Sequence, residues 1–391
     1  MLQARCQLCN SQQWQQFTSI CFGTWAFENT EIERDSALYP IGLCLDCGHV
    51  QVMSSYTPEL FDKLYFHSAQ ESVMWHESLI NDDSPYQDMI NFAISKEANL
   101  KTVVDFGCGE GKLLHLAKQS ASISKLVGID FNDRFAQEGI DYFAYDLNNL
   151  SDLPLTLWPC GIDLAMASHV LEHVVDPVNF LKNIKSHLSD TGVVFVEVPD
   201  FTSPHELKSI GKSNLVNLQH IHYFSLASLT YAANQAGFNV VKSQQVTTGY
   251  IPRLQVMLKV AAEQNATISF NGTVKVISQY QEQVQYLRQQ LAQELIETIR
   301  LNGTVGVWGV GADFYNLITE QPLLIESIKN AQIRMFDYEL AGKTFCFQKI
   351  HSSTEIPEYD GAVYMSPILA ETRVKMARVS KNWMNVRDIF K

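Results

Sequence analysis

From Lys101 to Val198 the chain alternates short β-branched apolar runs with stretches whose apolar positions fall at helical spacing. Strands are predicted at 102–106, 126–130, 142–145, 162–167 and 192–198. Strand–helix alternation of this kind implies a mostly parallel sheet with helices on both faces. The fourth run continues into Ser168-His169-Val170-Leu171-Glu172-His173-Val174, read as the helix that follows the strand. Ahead of the sheet, Leu60-Phe61-Asp62-Lys63-Leu64-Tyr65-Phe66-His67-Ser68 reads as an aromatic-rich helix and loop. Behind it, a loop from Phe201 to Leu218 leads to Gln219-His220-Ile221-His222-Tyr223-Phe224-Ser225. Asn271-Gly272 and Asn302-Gly303 bracket a long helix with apolar Ile277, Tyr280, Val284, Leu287, Leu291, Leu295 and Ile299. A packed helix joining two domains is the default reading, and a dimer seam is its rival. A second strand and turn, Thr304 to Phe314, and a strand at Ile333–Asp337 then predict a further α/β unit.

The turn after the first strand carries the chemistry. Val103-Val104-Asp105-Phe106-Gly107-Cys108-Gly109-Glu110-Gly111 is an apolar run, an acid and three alternating glycines, followed by a helix from Lys112. Glycines there permit positive φ and close approach of a ligand to the backbone. The spacing is Gly-x-Gly-x-Gly, not the Gly-x-Gly-x-x-Gly of dinucleotide folds. The second strand also ends in an acid, Asp130, and the third is followed by Asp146. Three carboxylates at three successive strand ends lie where α/β sheets bind ligands, as do Ser168 and His169. The alternative is three solvated loop acids.

At 391 residues two or three domains are expected. The net charge of −13 gives no electrostatic footing for nucleic acid or anionic membranes, so neither is expected as a partner. No run of about 18 apolar residues exists, and the N-terminus lacks a signal-peptide core, so a cytoplasmic protein with reduced thiols is expected.

Four of the eight cysteines are paired by spacing, Cys6-x-x-Cys9 and Cys44-x-x-Cys47. Each pair suits a tight knuckle that offers two thiolates to one tetrahedral ion, and Asn10 and Gly48 suit such turns. Two knuckles favour structural Zn2+ over the rival redox reading. A four-thiolate site is closed, hence structural, and would stabilise a small module with little core of its own. Cys21, Cys108, Cys160 and Cys346 read as ordinary thiols, Cys108 as a small filler inside the glycine loop.

The strand-end acids and the glycine turn resemble the motifs of class I S-adenosylmethionine (SAM) methyltransferases. The resemblance implies that Gly107, Gly109 and Gly111 pass under the amino-acid part of SAM. It further implies that Asp105 orders the loop and the methionine ammonium, that Asp130 holds the ribose hydroxyls, and that Asp146 contacts the adenine amine. Ser168 and His169 would face cofactor or substrate. Along nearly the whole chain, the order of knuckles, SAM core, His-x-His-Tyr-Phe-Ser and C-terminal α/β unit resembles the zinc-containing deoxysugar C-methyltransferases. These act on nucleotide-linked 4-keto-deoxysugars. Their Tyr-His-Glu-His motif, registered on Tyr223-Phe224-Ser225, places the last His on His220 and the rest on Asn217, Leu218 and Gln219, a departure. A neutral His suits removal of a proton from the methyl acceptor. The catalytic candidates are therefore His220, His222 and His169, against a null of polar packing.

The expected organisation is a zinc module over 1–55, a Rossmann-like SAM core over 56–265, a linking helix over 266–302 and a Rossmann-like substrate half-domain over 303–391. The expected reaction is methyl transfer to a nucleotide-activated sugar, with C-methylation first and O- or N-methylation close behind. A non-catalytic SAM or sugar binder stays open. So does an NAD-linked oxidoreductase using Gly309 and Gly311, although Phe314 stands where its third glycine would be. Tyr315 and Asn316 are candidate substrate contacts or ordinary helix residues.

Overall fold

The computed structural model describes residues 5–26, 30–62, 64, 84–94, 100–120, 123–131, 139–154, 157–202, 216–247, 252–262, 272–368 and 370–390. Most of the segment 60–68 and of the loop 201–218 lies outside them. Near its start the chain forms an antiparallel hairpin, β1 (Trp14–Ala26) and β2 (Glu33–Cys44), paired from Trp14↔Cys44 to Ala26↔Glu33 with a one-residue register shift between Gln16 and Thr18. β3 (Val50–Val52) extends that sheet, and α1 (Pro58–Asp62) and α2 (Ser84–Ala93) lead into the next.

The core follows as β4 (Thr102–Phe106), α3 (Lys112–Ser120), β5 (Lys125–Asp130), β6 (Asp141–Ala144), β7 (Ile162–Ser168), α4 (Pro177–His187) and β8 (Leu188–Pro199). β9 (His222–Tyr223), α5 (Leu226–Gln235), β10 (Phe238–Val246) and β11 (Arg253–Val260) complete it. Seven strands run in the order β6-β5-β4-β7-β8-β11-β10, parallel from β6 to β8, with β11 antiparallel to both neighbours. Val103, Val104, Leu164, Ala165, Met166 and Ala167 are fully buried, as expected of central strands covered on both faces. The order reverses beside β4, so the crevice at the carboxyl ends of β4 and β7 is the topological switch point.

The five strands read from the sequence are present, with β8 longer at both ends. The helix expected over 168–174 is not. His169 takes a positive φ of 54°, and residues 170–175 form turns. Helix α4 starts at Pro177, where Asp176 accepts the Asn179 amide at 2.8 Å as N-cap. Asp-Pro is a strong start signal, because proline is preset for the first helical position and disfavours helix in the residue before it.

The remainder is α6 (Thr273–Asn302), β12 (Val305–Trp308), α7 (Ala312–Glu320), α8 (Leu323–Lys329), β13 (Ile333–Asp337), β14 (Thr344–Phe345), β15 (Gln348–Ser352), β16 (Val363–Met365), α9 (Ala370–Val379) and β17 (Val386–Arg387). Its sheet has six strands in the order β14-β15-β13-β12-β16-β17. The apolar stripe of α6 is buried at Ile277, Tyr280, Val284, Leu287, Leu291 and Leu295. One hydrophobic cluster joins Ile20, Ile41 and Val50 of the hairpin sheet, Tyr223 of the core, Ile277 and Leu291 of α6, and Val307 and Phe314 of the C-terminal unit. The hairpin sheet takes its fourth strand from the core, since β3 pairs with β9. No helix among the described residues is long and apolar enough to cross a membrane.

Candidate functional site

The glycine loop leaves β4 and turns back over β5. Gly107 and Cys108 amides donate to the Ile129 carbonyl at 2.7 and 3.2 Å, and Gly111 opens α3 by accepting from the His115 amide. Asp130, at the end of β5, accepts from the Gly109 amide (2.8 Å) on one oxygen and from the Phe131 amide (2.8 Å) on the other. Its carboxylate is thereby fixed at the end of β5, beside the glycine loop. Asp105 is buried, and its Oδ1 has no hydrogen-bond partner among the described residues. Burial, and then the nearby Asp130, push its carboxyl well above the ordinary range. An unmet buried carboxylate under a glycine loop fits an ammonium-bearing ligand, and a side chain built on Gly109 would meet nothing within 4 Å. The structure thus brings Asp105, Asp130 and the three glycines together.

Asp146 is placed differently. Its carboxylate caps the 3-10 turn Leu147–Asp152, taking Asn148 N at 2.9 Å and Asn149 Nδ2 at 2.6 Å. Cys108 packs as a filler, its Sγ 2.7 Å from where a Cβ on Gly128 would lie.

Val170 presses against Gly107, so the turn after β7 abuts the glycine loop. Ser168, the last residue of β7, reaches Met89 Sδ at 3.5 Å. That turn carries a cluster of imidazoles and carboxylates. Glu172 and Glu197 are fully buried. His169 lies between them, Nδ1 3.1 Å from Glu172 and Nε2 3.2 Å from Glu197, with a third of its side chain exposed. Burial disfavours its charge, but the two carboxylates outweigh burial and raise it to about 10. Glu172 is held at about 2, because the His169 hydrogen bond and the neighbouring imidazoles overcome its own burial. The two carboxylates thus favour the imidazolium form of His169, which has no lone pair to accept a proton.

His173 and His220 complete the cluster. His173 Nδ1 donates to the Gln219 carbonyl at 2.8 Å, since a carbonyl can only accept. Its other nitrogen, Nε2, lies 3.8 Å from Glu172 Oε1. The His220 ring stands edge-on to it, centroids 4.8 Å apart. Burial lowers His173, so it is neutral. Asn217 Oδ1 accepts from the Gln219 and His220 amides at 2.8 and 3.1 Å and shapes the turn that presents His220. Leu218 is fully buried, and Gln219 Nε2 donates to the Leu64 carbonyl. Asn217, Leu218 and Gln219 are thus spent on backbone architecture and packing.

His222, expected among the catalytic groups, faces the other way. It is fully buried, with Nε2 donating to the Val174 carbonyl at 3.0 Å and Nδ1 3.0 Å from His49 Nε2. Burial pushes it down to about 4, which favours its neutral form. Sequence reasoning missed His49, Glu197 and Gln255. Gln255 donates to Glu197 Oε2 at 2.5 Å and pairs with it across β11 and β8. The last two carried a signal, a polar side chain inside an otherwise apolar strand run; His49 carried none.

The four paired cysteines converge. Cys6 and Cys47 sulfurs lie 3.5 Å apart, Cys9 and Cys44 sulfurs 3.6 Å apart, and all four lie within 4.8 Å of one another. Ligands about 2.3 Å from a tetrahedral ion lie roughly 3.8 Å from each other. The knuckles are near copies: Asn10 N donates to Cys6 O and Gly48 N to Cys44 O, with φ of 63° and 72° at those two residues. Hydrogen bonds from Cys47 and Cys6 draw Cys44 below its ordinary value, and that bond pushes Cys6 and Cys47 above theirs. The set can carry four thiolates only around a cation.

In the C-terminal unit, Asp337 Oδ2 accepts from Val310 N at 2.8 Å, much as Asp130 does from Gly109. Asp313, in the first turn of α7, takes the Ile368 amide, and Phe314 and Tyr315 are fully buried. An acid at that helix start opposes a pyrophosphate, which weighs against the NAD reading.

Residues 79–243 match a family model described as a methyltransferase domain. The match covers under half of the chain, and it supports a SAM-dependent methyltransferase. Among curated proteins, the chain is similar to tRNA U34 carboxymethyltransferases. That of Campylobacter jejuni is 28% identical over 168 residues, covering 40% of this chain and 57% of the relative. That of Campylobacter lari is 26% identical over 183 residues, covering 42% and 60%. The chain therefore spans under two thirds of the relatives it matches. Among solved structures, a 1,6-didemethyltoxoflavin-N1-methyltransferase of Burkholderia thailandensis superposes with a TM-score of 0.40 at 14% identity, covering 56% of this chain and 97% of that one. A SAM-dependent methyltransferase of Clostridium acetobutylicum gives 0.37 at 10% identity, covering 49% and 96%. The matched segment thus holds the glycine loop, the strand-end acids and the imidazole cluster, whereas the cysteine knuckles and the C-terminal unit lie outside it.

Proposed function

We propose that this protein transfers the methyl of SAM to a nucleotide-linked sugar, with a carbon beside a ketone as the first acceptor. The observation that carries the reading is the Glu172–His173–His220 cluster, set at the carboxyl end of β7 against the glycine loop. SAM supplies an electrophilic methyl. The acceptor must approach in line with it and give up a proton. His220, half-buried at the edge of the cluster, takes that proton, and His173 and Glu172 behind it steady the resulting charge. They stand in for the Tyr and Glu that the motif lacks at Asn217 and Gln219. Asp105 and Asp130 hold the cofactor's amino-acid and ribose ends.

A small acceptor is favoured over RNA. Although the curated relatives are named for tRNA, a net charge of −13 offers phosphates no counter-charge. The cysteine knuckles hold one structural zinc ion, as the four converging sulfurs suggest. The six-stranded C-terminal unit, joined to the core through α6, closes over the nucleotide.

The test is incubation with SAM labelled at its methyl carbon and a panel of nucleotide-linked keto-, amino- and hydroxy-sugars, read by NMR. The expected product carries the label on carbon, and His220→Ala abolishes it. Label on oxygen or nitrogen would keep the cofactor and change the nucleophile. No transfer with SAM bound would overturn the substrate class.

A further inference from the structure

The imidazole cluster has a donor arrangement that proton transfer alone does not require. Glu172, His173 and His220 each present one ligand atom, and the three atoms lie within 4.8 Å of one another. His173 has its tautomer fixed. Nδ1–H is committed to the Gln219 carbonyl at 2.8 Å, so the Nε2 lone pair is the one that faces Glu172 Oε1 at 3.8 Å. A ring nitrogen and a carboxylate oxygen thus face each other across that gap. Glu172 Oε2 is buried and has no hydrogen-bond partner among the described residues. An imidazole whose far nitrogen donates to a backbone carbonyl, beside a carboxylate oriented by another hydrogen bond, has the outer-shell pattern of a metal ligand. His169 supplies that orienting bond at 3.1 Å.

The backbone holds these side chains in place. Ile221 and His222 amides both donate to the Glu172 carbonyl, at 2.8 and 3.2 Å, so the turn bearing Glu172 and His173 is tied to the segment bearing His220. Two ligands come from one turn and one from the segment just before β9, which is hydrogen-bonded to it.

We propose that Glu172, His173 and His220 form a second metal site, distinct from the cysteine knuckles, for a borderline divalent cation such as Zn2+, Co2+ or Ni2+. Two imidazoles and one carboxylate suit that class, whereas Ca2+ and Mg2+ require mostly oxygen. Bringing the donors to about 2.1 Å from a common centre puts them roughly 3.4 Å apart in tetrahedral geometry, which is a small closing movement. On the reading of His220 as the base, a bound ion occupies its lone pair. Metal and proton abstraction then exclude each other, and the ion is a reversible inhibitor of methyl transfer.

Full-length protein with zinc in its cysteine knuckles is titrated with cobalt(II) chloride. Cobalt bound by thiolates shows intense sulfur charge-transfer bands in the near ultraviolet, whereas cobalt on nitrogen and oxygen shows only weak visible bands. The expected result is one saturable equivalent without the sulfur bands, lost in Glu172→Gln and His173→Gln variants whose thermal unfolding matches the parent. If a buried Glu172 variant does not fold, the more exposed His220→Gln takes its place. Visible bands that fail to saturate, or that persist unchanged in the variants, overturn the site. Labelled methyl transfer is followed in the same samples. Activity that falls in step with cobalt occupancy supports both the site and the base. Cobalt bound with activity unchanged or raised keeps the site and removes His220 as the base. Activity present with no cobalt bound removes the site alone.

Discussion

Substitution of Gly107 by alanine should damage the domain through one identifiable contact. A Cβ on Gly107 would lie 2.3 Å from Val170 Cγ2, with φ at +76°. The left-handed backbone costs an L-residue roughly 1–2 kcal/mol. Relief of the overlap needs Val170 to move by about 1 Å in a packed setting, which costs about 1–3 kcal/mol more. Gly109 is the control. Its φ is +48°, but a Cβ there meets nothing within 4 Å, so it bears only the backbone cost, about 1 kcal/mol. Val170→Ala alone opens a small cavity worth about 2 kcal/mol. Together with Gly107→Ala it should cost less than the sum by about 2 kcal/mol, because the new methyl fills the space that Val170 vacates. Urea denaturation of the four proteins measures these differences, and SAM titration reports whether the loop is intact. Equal losses for Gly107→Ala and Gly109→Ala would refute the steric argument. So would a double variant as unstable as the two singles added together.

Three further outcomes follow from the geometry. Asp130→Asn replaces an oxygen that accepts a backbone amide by a donor, so SAM affinity should fall about 10- to 100-fold by calorimetry; an unchanged Kd would exclude Asp130 from the cofactor site. Cys44→Ser, or a strong chelator, should release about one equivalent of zinc and lower the thermal midpoint, because Cys6, Cys44 and Cys47 pack on Ala232 of α5; metal content well under one per chain in the parent would defeat the reading. His187 accepts the Trp158 indole N–H at 3.0 Å and is lowered by burial. Its neutral form is therefore the folded one: the stability it lends is present above the unfolded value of about 6.5 and is lost as pH falls below it. His187→Asn, which cannot protonate, should flatten that acid slope in denaturation midpoints, and an identical slope would contradict the linkage.

The parallel core was legible because its strands are covered on both faces, so Val103-Val104 and Leu164-Ala165-Met166-Ala167 appear as unbroken apolar runs. The glycine loop was legible because its backbone geometry restricts residue type. The segment 168–174 misled for the converse reason. Its apolar spacing fits a helix, but Val170, Leu171 and Val174 are buried by turns that pack on neighbouring elements. The Asp176-Pro177 start signal was present and outweighed by periodicity. Partners distant in sequence left no local trace. His169 reads as a plausible base until Glu197 arrives from β8, and His222 reads as its equal until His49 arrives from the knuckle.

That last pair alters the role of the N-terminal module. Taken alone, a four-cysteine module is a stabiliser appended to an enzyme. Here the chain leaving its second knuckle runs Cys47-Gly48-His49 into β3, which pairs with β9. His49 holds His222, and His222 holds the Val174 carbonyl at the far end of the turn that carries Glu172 and His173. Both rings are neutral and fully buried, with His49 pushed well below its ordinary value by burial and by His222. No charge is transmitted along this chain; what it fixes is position. Displacing the knuckle would draw His49 from His222 and unpin the backbone to which His220 is tied two residues away. The cysteine cluster is therefore joined by covalent and hydrogen-bonded links to the turn that carries Glu172 and His173 and to the segment that carries His220, so an ion bound at the cysteines would steady a cluster it does not touch.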